Sequence, residues 1–345
     1  MEIASLGTSD LDALVDFAQR PEVARFGEHL ETDPSSVWAA WLGEPDPQRR
    51  MTIAVRDGGE MACAARLSIG VHRRRIHVGA LDLVAPWEGA DDAVDAAVGA
   101  LVDAADRWMQ LCRLELYAPA GHPRVTGVLA AHGFEVETTR RGSILRDGAY
   151  ADEVGLGRLR PGTRSYDAIA GRPTPAPRSP GPGELRFRPV VPADAPAWTR
   201  ALSDESVLWG TLQLPYPRVE HWEQRLRTND PAQIFITGPT IDGELAGGGV
   251  LFVSSVFRRR HAAGLGMHVD PRHHGRGVGH ALMAELLRRA TALGLHRVEL
   301  EVFGDNPRAL RIYEGAGFAH EGTRKLACFR DGAFVDDLMM SWLRE

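Results

Sequence analysis

The chain lacks most of what holds together cross-linked, metal-built or membrane-embedded proteins. Of its 345 residues only Cys63, Cys112 and Cys328 are cysteine. They are far apart and show no metal-ligand spacing, which argues against a disulfide scaffold and a zinc site and fits a reducing cytoplasm. The 13 histidines include no HExxH or other paired-ligand pattern, so no metal is expected. No apolar run approaches the roughly 20 residues that cross a bilayer. Residues 1–20 have neither a basic n-region nor an apolar h-region, so no signal peptide is expected and a cytoplasmic location is predicted. Lysine is almost missing: Lys325 is the single one among 40 basic residues, a bias with no mechanistic consequence. Those 40 are outnumbered by 46 acidic residues, for a net charge of -6. That balance argues against a general nucleic-acid binder or a membrane-surface binder.

What is present is ordinary globular material: 44% hydrophobic and 25% charged residues. At roughly 100–200 residues per domain the length suggests about two domains. Residues 161–184 carry six prolines and four glycines, which sustain neither a helix nor a central strand. They read as a semi-extended linker between 1–160 and 185–345. The flanking halves repeat. Residues 113–159 align without a gap to 297–343, each landmark recurring 184 positions later, with 16 of the 47 positions identical. The landmarks include Pro123/Pro307, Arg124/Arg308, Gly133/Gly317, Phe134/Phe318 and the runs RDGAY (146–150) and RDGAF (330–334). A tandem duplication of one fold is the expectation.

The second half has the clearer periodicity. Alternation predicts strands near 185–191, 233–239, 245–255, 261–269 and 296–303. Two more follow at 319–330 and 333–343, joined by the Asp331-Gly332 turn. Helical spacing predicts helices over 193–204, with Asp194 as N-cap, and over 218–228, 280–293 and 307–317, the last ending at Gly317.

Two motifs carry chemistry. VDPRHHGRGVGH (269–280) places Gly275, Gly277 and Gly279 between a strand and a helix. Its backbone can approach a ligand closely, and its N–H groups with the helix dipole suit a phosphate or pyrophosphate. No Lys-Ser/Thr pair follows, so it is not a Walker A loop, and no βαβ unit with a ribose-binding acid supports a dinucleotide fingerprint. Next, EVFGDNPRALRIYEGAGF (301–318) puts Asn306, Ala309 and Tyr313 on one helix face. The order strand, glycine loop, helix, strand, helix, together with Asn-x-x-Ala-x-x-x-Tyr-x-x-x-Gly-Phe, resembles the GNAT superfamily of acyl-CoA-dependent N-acyltransferases across essentially all of 185–345. LWGTLQLPYP (208–217) and EGTRKLACFRDGAFVDDLMM (321–340) resemble the branch of ribosomal-protein alanine and free amino-acid N-acetyltransferases. His274 stands where the family usually has Gln or Arg.

The resemblance implies an α/β fold: two tandem GNAT folds, each a mixed, mostly antiparallel splayed sheet flanked by helices. It implies acetyl-CoA as cosubstrate and acetyl transfer by direct attack of a primary amine. The pantetheine arm would pair with Met267, His268 and Val269 as an added strand, a backbone N–H there polarising the thioester. The loop His274, Gly275, Arg276, Gly277, Val278 and Gly279 would hold pyrophosphate, and Asn306 the pantetheine. Glu301 is the leading candidate base, with Glu299 and His268 behind it; a surface ion pair is the competing reading of Glu301. Tyr313 would protonate the departing thiolate. Leu212, Leu214 and Tyr216 lie in the segment that would cover the acyl end and are the expected acceptor contacts.

The first half looks disabled. The matching positions hold Leu129 for Tyr313, His122 for Asn306 and Tyr117 for Glu301, and VAPWEGADDAV (84–94) replaces the glycine loop. Glu88, Asp91 and Asp92 put negative charge where pyrophosphate would sit. A degenerate copy that packs, shapes the acceptor pocket or mediates association, a homodimer included, is expected over 1–160. The predicted function is acetylation of a small-molecule amine: an amino acid, an antibiotic or a biosynthetic intermediate. A protein N-terminus as acceptor, or acyl-CoA binding without catalysis, are the alternatives.

Overall fold

A computed structural model describes residues 1–25, 30, 32–43, 49–70, 72–163 and 185–344. The predicted linker beyond residue 163 lies outside the described residues. The chain forms two compact units. The first comprises Met1–Tyr166 with Val256–Arg259 and Gly322–Asp336; the second comprises Asp167–Ser255, Arg260–Glu321 and Asp337–Glu345. The division therefore departs from a single cut in the linker. Residues 322–336 and 256–259 make their bonds within the first unit: Gly322 pairs with Thr138, Arg324 donates to Glu115 at 2.5 Å and Arg259 to Glu153 at 2.5 Å.

In the first unit the order is β1 (Glu2–Ser5), α1 (Leu11–Ala18), α2 (Pro21–Ala24), α3 (Ser35–Leu42), β2 (Arg50–Asp57), β3 (Glu60–Ile69), β4 (Val78–Val84), α4 (Asp91–Arg107), β5 (Arg113–Pro119), β6 (Glu135–Arg146) and β7 (Ala149–Leu159). The strands lie in the order β1-β2-β3-β4-β5-β7-β6. All neighbours in this run are antiparallel except β4 and β5. Strand alternation builds a core on each face. Cys63, Ala65 and Leu67 of β3 pack with Val94, Val98 and Leu101 of α4. Ala64, between them, packs with Leu14, Phe17 and Trp38 of α1 and α3.

The second unit repeats the plan. It contains β8 (Arg186–Pro189), α5 (Ala195–Ser203), α6 (Glu205–Leu208), α7 (Val219–Arg227), β9 (Ile234–Ile241), β10 (Glu244–Leu245), β11 (Gly247–Val253), β12 (Ala262–Val269), α8 (Val278–Ala292), β13 (Arg297–Phe303) and α9 (Pro307–Gly315). The hairpin β14 (Ala319–Arg330) and β15 (Ala333–Leu343) follows, its turn end counted with the first unit. These are the elements the periodicity predicts, with α6 and β10 added. Asp194 stands at the N-cap of α5 as expected, but its carboxylate accepts from the Val191 N–H and from Arg188, bracing the turn before the helix, and takes no α5 N–H.

The registers of the units match at the sequence offset. Val78–Ala80 pair in parallel with Arg113–Glu115, and Ala262–Gly264 with Arg297–Glu299. Arg113 meets Leu159 across β5 and β7, and Arg297 meets Leu343 across β13 and β15. Buried arginines repeat too. Arg113 bonds Glu137 and Glu115, and Arg297 bonds Glu321 at 2.9 and 2.6 Å and Glu299 at 3.0 Å. Helices press on both faces of β11, and the glycines there have a steric reason. A Cβ at Gly248 would lie 2.1 Å from Trp198 of α5, and one at Gly249 2.6 Å from Leu286 of α8.

Candidate active site

The parallel strands β12 and β13 pair only up to Gly264 and Glu299, then diverge. A cavity of about 380 Å³ opens at the end of β12, lined also by the following loop and by residues of α6, α8 and α9. The loop is braced from within. Asp270 is buried and accepts from the Arg272 N–H at 3.0 Å. Burial alone would raise its pKa, but the hydrogen bonds from Arg272 and Arg200 win and hold it below the ordinary carboxylate value. The ring of His274 donates Nε2–H to the Val269 carbonyl at 3.0 Å; burial and the cation of Arg308 lower its pKa.

Gly275 and Gly277 have φ of 73° and 78°, a region that costs other residues a Cβ clash. Gly277 is the N-cap of α8 and supplies no side-chain acceptor. The first-turn N–H groups of α8 have no intrahelical partner, and Val278, Gly279 and His280 line the cavity. At Gly279 a Cβ would stand 2.8 Å from Ile312 Cδ1, so glycine lets α8 and α9 approach closely.

The expected helix face is present: Asn306, Ala309 and Tyr313 all line the cavity. Asn306 is also the N-cap of α9, its Oδ1 accepting the Ala309 N–H at 3.2 Å. Its Nδ2 lies 2.8 Å from where a Cβ on Gly210 would stand. Tyr313 packs on Phe318 at 6.0 Å between ring centroids, and burial pushes its phenol up to about 12. The hydroxyl is therefore protonated at neutral pH.

Of the residues singled out from sequence, Met267, His268, Val269, His274, Gly275, Gly277, Val278, Gly279, Asn306 and Tyr313 line this one cavity. Arg276 does not; it bonds His273 Nδ1 at 3.0 Å. Glu301 is exposed on β13, outside the lining. The register Gly264↔Glu299 and strand alternation place Glu299, Glu301 and His268 on the same face of the sheet. The His268 ring is buried edge-on against Trp198, 4.5 Å between centroids. Burial lowers its pKa to about 4, which makes it a weak base. Leu212, Leu214 and Tyr216 also lie outside the lining; that stretch contributes Gly210 and Thr211. Tyr216 is 93% exposed. It sits between Pro215 and Pro217 at φ 61°, a turn that sends its ring outward.

Sequence reasoning missed Arg308. It is half-buried on the cavity wall, and no carboxylate pairs with it among the described residues. Burial first, then repulsion from Arg311, lowers its pKa. The only signal was the Pro-Arg pair shared by the two halves. His273 also lines the cavity; Ser206, His280 and Arg311 complete the polar rim and were missed.

The acetyltransferase (GNAT) family signature matches residues 197–318. The chain is 34% identical over 159 residues to the L-amino acid N-acetyltransferase AaaT of Escherichia coli strain K12, spanning 46% of this chain and 97% of that protein. It is 30% identical over 230 residues to a mycothiol acetyltransferase of Beutenbergia cavernae, spanning 59% of this chain and 72% of that protein. A solved GNAT-family acetyltransferase from Streptococcus pneumoniae aligns over 47% of this chain and all of its own, at 25% identity and a TM-score of 0.41. The chain belongs to the GNAT family of acetyltransferases. It is an N-acetyltransferase that draws its acetyl group from acetyl-CoA.

Proposed function

We propose that residues 185–345 form the catalytic domain, that 1–160 is a duplicated copy without catalytic power, and that the acceptor is the primary amine of a small molecule, an L-amino acid first. The observation that carries this reading is the convergence, on one cavity, of the bare N-terminus of α8, the uncompensated Arg308 and the protonated hydroxyl-bearing Tyr313. The relative from Escherichia coli, matched over nearly its whole length and named for L-amino acids, supports the acceptor class.

The residues fit the donor's chemistry. The helix N-terminus and Arg308 suit a pyrophosphate or phosphate. The edge of β12 beyond Gly264, where pairing with β13 stops, suits an extended pantetheine arm, and Asn306 sits beside it. Acetyl-CoA supplies an acetyl thioester. A backbone N–H of Met267–Val269 polarises its carbonyl. Glu301 removes the proton from the acceptor's ammonium through a water, leaving a neutral amine to attack. Tyr313 gives its proton to the sulfur as the carbon–sulfur bond breaks, and the second proton, lost by the attacking nitrogen as the amide forms, returns to the phenolate. The test is a screen of amines read by release of free CoA. Turnover with L-amino acids is expected; turnover confined to a protein N-terminus, or none with any amine, would overturn the acceptor or the catalytic assignment respectively.

A further inference from the structure

In the second unit one face of β12 carries almost no side chain. Gly264, Gly266 and His268 share it by strand alternation. The antiparallel register sets Phe252, Val250 and Gly248 of β11 beside them in that order. The two ends of this strip differ. At the His268 end α5 covers the sheet: a Cβ on Gly248 would stand 2.1 Å from Trp198, and the His268 ring lies edge-on to the same tryptophan. At the other end the space is open. Beyond its chain neighbours, a Cβ on Gly264 or on Gly266 would meet only Phe252 among the described residues, at 3.9 Å, an ordinary contact. Phe252 is itself 39% exposed.

The first unit fills the same space. Its register pairs Arg66 with Asp82 where the second unit pairs Val250 with Gly266. There the guanidinium bonds the carboxylate at 3.0 Å across the two strands. Ala80 stands for Gly264 and Ser68 for Phe252. The copy that lacks the tyrosine and the glycine loop thus lays an ion pair over its sheet. The copy that keeps them has two glycines and a valine, which leave room and no charge.

The open strip lies where an acceptor must pass. The parallel strands β12 and β13 part after Gly264 and Glu299, so Gly266 and Glu301, two residues further along on the same face, flank the opening. An amine giving its proton to Glu301 would hold its substituent toward Gly266, with Val250 and Phe252 for walls. Along the strip the next residue is His268, 8% exposed and on the cavity wall, whose Nε2 has no hydrogen-bond partner among the described residues. A buried ring nitrogen of this kind is left for a polar group of a ligand, or for a water the ligand holds in place. A strip that is polar at one end and bare and apolar at the other fits a small molecule with polar groups at its head and an apolar side chain.

We infer that Gly266, with Gly264 beside it and Val250 and Phe252 as walls, is the seat of the acceptor's side chain, and that this seat selects L-amino acids with a bulky apolar side chain over small ones. The seat presupposes the amino-acid acceptor proposed above. The test is kcat/KM for L-leucine, L-phenylalanine and L-alanine on the full chain at saturating acetyl-CoA. The parent should favour leucine or phenylalanine over alanine by at least about tenfold. Gly266→Val, whose side chain would take the seat, should cut the leucine-to-alanine ratio at least about tenfold, and Gly266→Ala should fall between the two. Val250→Arg together with Gly266→Asp, which imports the first unit's pair, should abolish the preference while titration calorimetry still finds acetyl-CoA bound. Three results would each overturn the seat: a parent without preference, a ratio unmoved by Gly266→Val in a variant that melts like the parent, or a loss matched by an equal loss of acetyl-CoA affinity. Absence of turnover with any amino acid would instead strike the proposed function. Calorimetric titration of L-leucine into the CoA complex then decides the seat, which stands if Gly266→Val removes the binding and falls if binding is absent or survives the substitution.

Discussion

Arg124 and Arg308 stand at matching places in the two units and meet opposite fates. Arg124 is buried and neutralised by Asp91, the first residue of α4. Arg308 looks into a cavity whose loop holds glycine at the position matching Asp91, Gly275. The scaffold is shared down to the strand register. What differs is whether the charge at the cleft is settled within the chain or left for a ligand. On the proposed reading, the first unit loses cofactor binding by supplying its own anion, with no change in backbone plan.

The comparison is broken hardest at Tyr313 and Leu129. Tyr313→Phe removes only the hydroxyl, so kcat should fall roughly 10²–10⁴-fold with little change in the KM for acetyl-CoA. Leu129→Ala should leave kcat in place and cost about 2–5 kcal/mol of stability, since that side chain is core. Steady-state kinetics and denaturant melts on the two variants check both halves of the statement. An unchanged Tyr313→Phe rate removes the acid.

Glu301 and Tyr117 come next. Glu301→Gln should lower the rate on the order of 10²-fold near neutral pH, where the amine is protonated, and recover as pH rises and free amine appears. A pH–rate profile is the measurement, and a pH-independent deficit would take the base role from Glu301. Tyr117→Phe should leave the profile where it was.

His268 corresponds to Val84 in the repeat. Its folded pKa of about 4 lies below the value of the unfolded chain. Between about pH 6.5 and 4 the unfolded state takes up a proton that the folded state refuses. Stability should therefore drop as pH falls through that window, by up to about 3 kcal/mol from this group. His268→Val, which imports the first unit's residue, should flatten that part of a stability–pH curve. A slope unchanged by the substitution would place the titration elsewhere.

The smallest effect expected is at the arginines themselves. Arg308→Gln should weaken acetyl-CoA binding about tenfold without a change in melting temperature, because it removes one charge-assisted contact. Arg124→Gln should do the reverse, lowering stability and leaving binding alone. Titration calorimetry on the full chain should also find one tight acetyl-CoA site, and two would mean that Asp91 does not close the first unit.

Much of this was legible in the residues. Periodicity and the Asp331-Gly332 turn marked β14 and β15 at their observed ends. The i, i+3, i+7 spacing of Asn306, Ala309 and Tyr313 placed them on the wall they share. Leu212, Leu214 and Tyr216 stand outside the lining of that cavity, because apolar content says nothing about direction in a proline-flanked turn. The second role of Asn306, as helix cap, follows from its position just before Pro307 and could have been read there.

By itself the sequence determined the repeat, the glycine loop and the helix face that carries the tyrosine, because each depends on local spacing along the chain. Only the tertiary structure decided which charges are answered. Arg124 and Asp91 are 33 residues apart, and no local pattern distinguishes a satisfied arginine from one left facing a cavity. It also decided the make-up of the compact units, since Gly322–Asp336 and Val256–Arg259 join the first unit through pairings distant in sequence. Burial then set the pKa values of Tyr313 and His268, because desolvation depends on what the fold packs around a group and not on its neighbours in the chain.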